Sequence, residues 1–226
     1  MHPPPRLIVF DVNETLSDMA PLRTRFEEVG APGHLAPLWF AGVLRDGFAL
    51  TAAGGFAEFG DLAADGLRAL LAGLPERSGG VDDAVRYVLA GLGALPVHPD
   101  VPEGVRALRE AGYRLAAMTN GAAPTTERLL DGAGLLGYFE ALLDVRGPRA
   151  WKPAPAAYRY AIDRLGVAAD ETLLAAVHPW DVDGARRAGL AAAWLRRGAA
   201  VYPAAMTAPT LAADDLASLA RALTGD

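Results

Sequence analysis

The sequence contains no cysteine, so disulfide bonds, thiolate nucleophiles and cysteine-based metal sites are excluded. This absence fits a reducing compartment, and the cytoplasm is the expected location. Positive charge is also scarce, because 21 Lys and Arg face 27 Asp and Glu and leave a formal net charge of -6. A protein that binds nucleic-acid phosphates needs the opposite balance, so we expect no nucleic-acid partner.

Apolar runs long enough to span a bilayer are missing as well, and we expect no membrane partner. Residues 1–6 are rich in proline, lack the basic region and cleavage pattern of a signal peptide, and lead directly into an apolar segment. With 226 residues, the chain is large for one compact core and small for two independent ones. One domain that carries a sizeable insertion is therefore the expected organisation.

The hydrophobic pattern changes twice along the chain. Residues 7–10 are continuously apolar, which indicates a strand buried on both faces, and this run ends at Asp11. From about residue 20 to residue 95, apolar residues recur at helical spacing, in the segments 35–50, 56–74 and 81–92. After Asp100, which is placed to cap a helix, strands predicted at 113–119, 141–145, 172–177 and 190–195 alternate with helices predicted near 124–133, 154–165, 182–188 and 213–223.

This alternation is typical of an α/β fold with a doubly wound parallel sheet and a Rossmann-like core. The helical stretch interrupts that core as an inserted all-helical cap domain. We predict a discontinuous α/β core formed by residues 1–18 and 97–226, with residues 19–96 as the cap.

Polar side chains follow the predicted strands, at the points where the strands end. In open α/β sheets, ligands bind beyond the carboxyl ends of the strands, so these residues are expected around one crevice. They supply a carboxylate, a hydroxyl and amide pair, a lysine, a histidine and a second carboxylate: Asp11, Thr119, Asn120, Lys152, His178 and Asp181. Packing alone does not explain such convergence.

Four segments, in order, resemble the sequence motifs of the haloacid dehalogenase superfamily: Phe10-Asp11-Val12-Asn13-Glu14-Thr15-Leu16, Thr119-Asn120-Gly121, Lys152-Pro153 and Trp180-Asp181-Val182-Asp183-Gly184-Ala185. The resemblance covers essentially the whole chain, cap insertion included. Within the superfamily, Trp151-Lys152-Pro153 followed by Tyr158, together with Trp180-Asp181, looks most like the type II L-2-haloacid dehalogenases.

The resemblance implies a hydrolase that removes halide from a short 2-haloalkanoic acid and yields the 2-hydroxy acid, without a metal or another cofactor. Asp11 is then the nucleophile, which forms a covalent aspartyl ester. Lys152 would keep Asp11 ionised, and Asp181 would orient Lys152 and help to activate the water that cleaves the ester. By family role, the hydroxyls of Thr15 and Thr119 position the nucleophile or the substrate carboxylate.

The remaining candidates belong to the substrate side of the predicted site. Asn120 is expected to donate its amide to the departing halide, and Tyr158 to support the lysine or the substrate. His178 is open to three roles: replacing an asparagine as a hydrogen-bond partner, orienting the hydrolytic water, or holding halide. An apolar pocket wall is predicted from Trp39, Phe40 and Trp180. The resemblance also makes a homodimer possible.

Two departures separate the chain from the phosphatases of the superfamily. The phosphatases carry a second aspartate two residues after the nucleophile, which protonates the leaving group. This chain has Asn13 there, and an amide has no proton to give near neutral pH. At the position that brings an additional carboxylate to Mg²⁺, we align Val177, which offers no oxygen ligand.

The match to the dehalogenases has gaps too. Our alignment places Phe40 where their cap carries an arginine, and Arg45 comes too late along the helix to replace it in this register. This chain also has Ala176 and His178 at the positions where the dehalogenases carry a serine and an asparagine.

Other interpretations stay open on the sequence alone. Asp11 and Thr119 could be turn residues, Asp181 could cap a helix that begins at Val182, and the aromatic candidates could belong to the core. A Mg²⁺-dependent phosphatase of the same superfamily is the second hypothesis. A binding or regulatory protein that keeps the fold without turnover is the third.

Overall fold

A computed structural model describes residues 4–73, 80–198 and 201–225. Its strands are β1 (Leu7–Phe10), β2 (Arg114–Thr119), β3 (Ala141–Asp144), β4 (Thr172–Ala176), β5 (Ala191–Leu195) and β6 (Leu211–Ala213). Its α-helices are α1 (Leu22–Glu28), α2 (Leu35–Ala52), α3 (Phe59–Ala72), α4 (Gly80–Leu92), α5 (Val101–Glu110), α6 (Ala123–Gly132), α7 (Pro155–Leu165), α8 (Pro179–Arg187) and α9 (Leu216–Thr224).

The strands form one parallel sheet in the order β3-β2-β1-β4-β5-β6. All residues of β1, β4 and β5 are buried, as expected for a parallel sheet that is covered on both faces. The predicted doubly wound fold is therefore confirmed, and the predicted strands shift by at most one residue at each end. Strand β6 was not predicted, because three residues are too few to show a periodic pattern.

Alternate residues of β1 enter two separate hydrophobic cores. Ile8 and Phe10 pack with the apolar residues of α5, α6 and α9 on one face of the sheet. Leu7 and Val9 belong to the core on the other face, which includes α7 and α8 and continues into the cap. This shared core joins the cap to the sheet.

Helices α1 to α4 form the cap, and the chain enters and leaves it at neighbouring points. The amide of Asp18 donates to the carbonyl of Pro96 at 2.8 Å, and Ser17 bridges to Val97. The predicted domain boundaries, at residues 18–19 and 96–97, fall where these two chain segments pair. The division into core and cap at these residues stays a prediction. Of the predicted helical segment 56–74, residue 74 lies outside the described residues.

Two capping interpretations are wrong. Asp100 precedes α5, but its side chain makes no capping bond there; it pairs instead with Arg197 and accepts from the amide of Leu216 at 2.7 Å. Helix α8 begins at Pro179 rather than Val182, so Asp181 lies inside its first turn and its carboxylate is free for other partners. None of the helices in the described part of the chain is long and apolar enough to cross a membrane.

Candidate active site

Asp11 follows the last residue of β1, near the middle of the sheet. Its amide donates to the carbonyl of Ala175 at 3.0 Å, so it is held beside the end of β4. Because β1 lies between β2 and β4, the residues after those two strands flank Asp11 from opposite sides. The side chain is almost fully buried, and every polar contact described below reaches it from another element or from the turn that follows β1.

Lys152 is buried between two carboxylates. Its Nζ lies 2.9 Å from Asp11 Oδ1 and 2.6 Å from Asp181 Oδ2. Burial opposes the charged amine, but the two carboxylates prevail and raise the pKa of Lys152 above its ordinary value. At neutral pH, Lys152 is therefore a cation at the centre of the site.

The two carboxylates beside Lys152 respond differently to burial. For Asp11, burial would raise the pKa, but Lys152 and His178 together hold the pKa of that carboxyl well below its usual range. For Asp181, burial is the largest effect and raises the pKa of the carboxyl. The negative charge of Asp11 raises this pKa further, whereas Lys152 lowers it by less than burial raises it. Asp11 is the carboxylate that the site keeps ionised, as a nucleophile requires.

Tyr158 completes the surroundings of Asp181. Its hydroxyl donates to Asp181 Oδ1 at 2.6 Å and lies 3.1 Å from the Asp181 carbonyl. Burial and the neighbouring Asp181 raise the pKa of Tyr158 well above its ordinary value, so it stays a donor. The tyrosine thus lies on the lysine side of the site, one of the two positions that the sequence left open.

Thr15 connects Asp11 with the end of β4. Its hydroxyl donates to Asp11 Oδ2 at 2.6 Å and accepts from the amide of Val177 at 3.1 Å. Thr119 lies on the other side of Asp11, buried, with its hydroxyl accepting from the amide of Gly121 at 2.9 Å. Thr15 therefore holds the nucleophile, whereas Thr119 shapes the turn after β2.

Asn120 has a different partner from the halide that the sequence suggested. Its Oδ1 accepts from the amide of Lys152 at 2.8 Å, and its Nδ2 donates to the carbonyl of the same residue at 3.1 Å. The side chain is buried in this arrangement. The geometry makes Asn120 a positioning residue for the lysine segment, in which the Lys152–Pro153 peptide is cis.

His178 contacts two carboxylates at once. Its Nδ1 lies 3.0 Å from Asp11 Oδ2, and its Nε2 lies 2.9 Å from Glu14 Oε2. Burial would lower the pKa of the imidazole, but both carboxylates raise it, to about 9. Trp180 stacks on the imidazole with ring centroids 4.9 Å apart. At neutral pH the site therefore holds a second cation beside Asp11.

Two clefts flank the turn that follows β1, one on the β4 side and one on the β2 side, and the buried Asp11 lines neither of them. The β4-side cleft, about 510 Å³, includes Glu14, Phe40, His98, Val177, His178 and Arg197 in its lining. The β2-side cleft, about 400 Å³, includes Val12, Asn13, Phe59, Thr119, Gly121 and Arg128. No described residue lines both clefts. Among the described residues, no group of His, Asp and Glu side chains is arranged to hold a metal ion.

The predicted aromatic wall is divided between cleft and core. Phe40 lies in the β4-side cleft, tilted toward His178 with ring centroids 6.5 Å apart. Trp39 belongs to the cap core, where its Nε1 donates to the carbonyl of Ala63 at 3.0 Å and its ring packs on Phe26, so its prediction as a pocket wall is not supported by the geometry. Arg45 is exposed and pairs with its neighbour Asp46, away from the site.

Comparison with known proteins decides the family. A family model described as "haloacid dehalogenase-like hydrolase" matches residues 5–189. The chain belongs to the haloacid dehalogenase-like hydrolases. Curated relatives that match over most of their length include a phosphatase and a dehalogenase. Phosphoglycolate phosphatase from Rhodospirillum rubrum is 31% identical, covering 95% of this chain and 89% of the relative. (S)-2-haloacid dehalogenase 4A from Burkholderia cepacia is 29% identical, covering 81% and 80%.

The structure of this haloacid dehalogenase-like hydrolase is similar to crystal structures of dehalogenases. An L-2-haloacid dehalogenase structure that is 29% identical superposes with a TM-score of 0.89, covering 98% of this chain and 99% of the other. With several other curated dehalogenases, the match spans only 43 to 44% of their length. The resemblance to the L-2-haloacid dehalogenases that the motifs indicated is confirmed.

Sequence reasoning missed three residues of this haloacid dehalogenase-like hydrolase. Glu14 orients His178, and its positive φ of 60° marks the tight turn of the first motif. Arg197 donates to the carbonyl of Thr15 and to Asp100, and so holds that turn from the segment that follows β5. Phe59 lines the β2-side cleft from the cap. The sequence could have identified Glu14, because it lies inside a motif three residues after the nucleophile. No sequence pattern points to Arg197 or Phe59.

Proposed function

We propose that the protein hydrolyses a short 2-haloalkanoic acid to the corresponding 2-hydroxy acid through an ester on Asp11. The observation that carries this proposal is Lys152, buried between Asp11 and Asp181 with no part of its side chain exposed. This arrangement keeps a nucleophilic carboxylate ionised in a buried site. The similarity to (S)-2-haloacid and L-2-haloacid dehalogenases supports the choice of substrate.

In the first step, an oxygen of Asp11 forms a bond to carbon 2 of the acid, and the carbon–halogen bond breaks. The halide leaves with the bonding electrons, and in-line attack inverts the configuration at carbon 2. Lys152 and Thr15 remain bonded to the carboxylate and hold its orientation during the attack. Water then cleaves the ester and restores Asp11.

The β2-side cleft is the better place for the substrate. Its walls combine apolar side chains from the cap with Asn13 and Thr119 of the core, and it lies on the side of Asp11 away from His178. Arg128 also lines this cleft, where a guanidinium can bind the substrate carboxylate. On this proposal, Thr119 and Arg128 select an anionic substrate, and Phe59 excludes water.

A phosphatase activity is the second candidate, favoured by the relative that is 31% identical over almost the whole chain. Two positions of the chain oppose it. Asn13 has no proton for an alkoxide leaving group, and Val177 offers its backbone amide to Thr15 and no oxygen from its side chain.

Halide and phosphate release distinguish the two activities. The purified protein is incubated with 2-chloropropionate in the presence of a chelator, and separately with p-nitrophenyl phosphate and Mg²⁺. We expect chelator-resistant chloride release, which the isosteric variant Asp11→Asn should abolish, and no phosphate release. Phosphate release that depends on Mg²⁺, without chloride release, would contradict the proposal.

Single turnover in ¹⁸O-labelled water tests the covalent step. An ester route puts the label first into the Asp11 carboxylate, where mass spectrometry of the peptide detects it. Label that enters the hydroxy acid in the first turnover indicates direct attack by water instead.

Location and assembly belong to the proposal as well. The absence of cysteine supports the cytoplasm, which cell fractionation tests. A homodimer, which the family resemblance makes an expectation, is tested by light scattering after gel filtration.

A further inference from the structure

Asp11, His178 and Glu14 form a continuous chain of hydrogen-bonded groups. The two ring nitrogens of His178 lie 3.0 Å from Asp11 and 2.9 Å from Glu14. A nucleophile, a base in contact with it and a third group that orients the base are the parts that covalent hydrolysis requires. On the basis of the proposed function, we propose that His178 is the base that activates water to cleave the Asp11 ester, with Glu14 as its positioning residue.

Access to water separates His178 from the other candidate base, Asp181. Both oxygens of Asp181 are engaged, Oδ2 by Lys152 and Oδ1 by Tyr158, and the residue is completely buried. It lines neither cleft. His178 has 12% of its side chain exposed and lines the β4-side cleft, and its Nδ1 lies 3.0 Å from Asp11 Oδ2. Water in this cleft therefore meets His178, which contacts Asp11, without crossing the proposed substrate cleft.

The charge of Asp11 decides when His178 can act as a base. In the free enzyme, the carboxylates of Asp11 and Glu14 contact the two ring nitrogens and favour the protonated imidazole, which cannot accept a proton. Esterification removes the charge of Asp11 and leaves Glu14 as the remaining carboxylate partner. The other charged or titratable groups that line this cleft are Asp18, Arg23, His98 and Arg197. His178 therefore loses its proton to solvent only after the ester has formed.

Ester cleavage returns each group to its starting protonation state. The oxygen of a water molecule bonds to Cγ of Asp11 while His178 Nδ1 takes one of its protons. The tetrahedral intermediate collapses, the bond from Cγ to the alkoxide oxygen breaks, and the alkoxide takes the proton back from His178 as the hydroxy acid. The second proton of the water moves from the restored carboxylic acid to His178. The free enzyme again holds an ionised Asp11 and a protonated His178.

A burst experiment tests the role of His178. Rapid-quench assays with 2-chloropropionate compare the wild type with His178→Gln, and the exposed His34→Gln serves as a matched control. We expect His178→Gln to release one equivalent of chloride per site and then to turn over at least about 100-fold more slowly, with the ester detected on the Asp11 peptide. His34→Gln should behave as wild type. Multiple turnover by His178→Gln at the wild-type rate, or no chloride burst from the folded variant, overturns the inference.

Glu14→Gln separates positioning from a structural effect. Removing its charge lowers the pKa of His178 in the ester, so ester cleavage should slow by about 10-fold and its pH profile should move to lower pH. An unchanged pH profile overturns the role of Glu14.

Proton release by the wild type needs no variant. A stopped-flow trace with a pH indicator should show one proton released together with chloride, before the ester is cleaved. Proton release only at ester cleavage overturns the inference while leaving the proposed dehalogenation intact. Failure of the wild type to release halide from any 2-haloacid overturns both.

Discussion

Asn120 holds the backbone of Lys152 from both sides, accepting from its amide at 2.8 Å and donating to its carbonyl at 3.1 Å. The two residues are 32 positions apart, one after β2 and the other after β3. Lysine is long and flexible, so a charge held within 3 Å of two carboxylates needs a backbone that does not move. Asn120 supplies that constraint.

Asn120→Ala tests this relationship. The variant leaves the buried amide and carbonyl of Lys152 without partners, which should destabilise the protein by about 1–3 kcal/mol. We expect kcat to fall by a similar factor for 2-chloropropionate and 2-bromopropionate, as measured in steady-state halide assays. A loss of kcat that differs strongly between the chloride and bromide substrates would indicate that Asn120 contacts the leaving halide.

Lys152→Met removes the central cation and leaves Asp11 and Asp181 facing each other. The buried pair without its cation should cost about 3–5 kcal/mol of unfolding free energy. Halide release should fall by at least about 100-fold, because Asp11 no longer has the charge that keeps it ionised. Urea denaturation and halide assays measure both. Near-wild-type activity in this variant would contradict the proposed nucleophile.

Lys152 is also the only lysine in the sequence, which makes its charge directly observable. Labelling with ¹⁵N-lysine places a single side-chain signal in the NMR spectrum. Because Asp11 and Asp181 raise the pKa of Lys152, we expect the signal to keep the shift of an ammonium at pH 10.5, the ordinary pKa of lysine. In Asp11→Asn the signal should titrate at lower pH. A wild-type signal that titrates below 10.5 contradicts this electrostatic account.

Gly184 allows Tyr158 to reach Asp181. A Cβ at position 184 would lie 2.5 Å from the Tyr158 hydroxyl and 2.6 Å from Cβ of Pro153. Gly184→Ala should therefore displace both and cost about 1–3 kcal/mol of stability, with a clear loss of activity. Gly132→Ala is the matched control, since a Cβ at the end of α6 meets no atom within 4 Å. Thermal denaturation of the two variants should separate them.

His178 makes stability depend on pH in a defined window. Its pKa is raised from 6.5 to about 9 in the folded protein, so its contribution is complete below pH 6.5 and is lost as pH rises through 9. Such a shift corresponds to on the order of 3 kcal/mol. We expect wild-type unfolding free energy to decline between pH 6.5 and 9.5 more steeply than that of His178→Asn. Parallel curves from urea denaturation would show that His178 is neutral in the folded state.

Much of the site could be predicted because its residues follow strands in recognisable motifs. Asp11, Lys152 and Asp181 were named from the sequence, and the structure brings all three into contact. Asn120 was predicted to bind halide and Trp39 to line a pocket, because a motif or a helical period does not tell which atoms a side chain contacts. An amide close to a nucleophile can face either a leaving group or a backbone, and only the fold of the β3 to α7 segment decides between them.

The sequence by itself determined the strand and helix alternation, the cap insertion and the three charged residues at the strand ends, since each depends on local periodicity or a short motif. Only the tertiary structure decided the partners of His178, because Asp11 and Glu14 lie 167 and 164 positions away along the chain. They meet it through the pairing of β1 with β4 and the turn that gives Glu14 its positive φ. A histidine that reads as isolated in the sequence thus becomes the second cation of the site, for the physical reason that parallel strands bring distant carboxyl ends together.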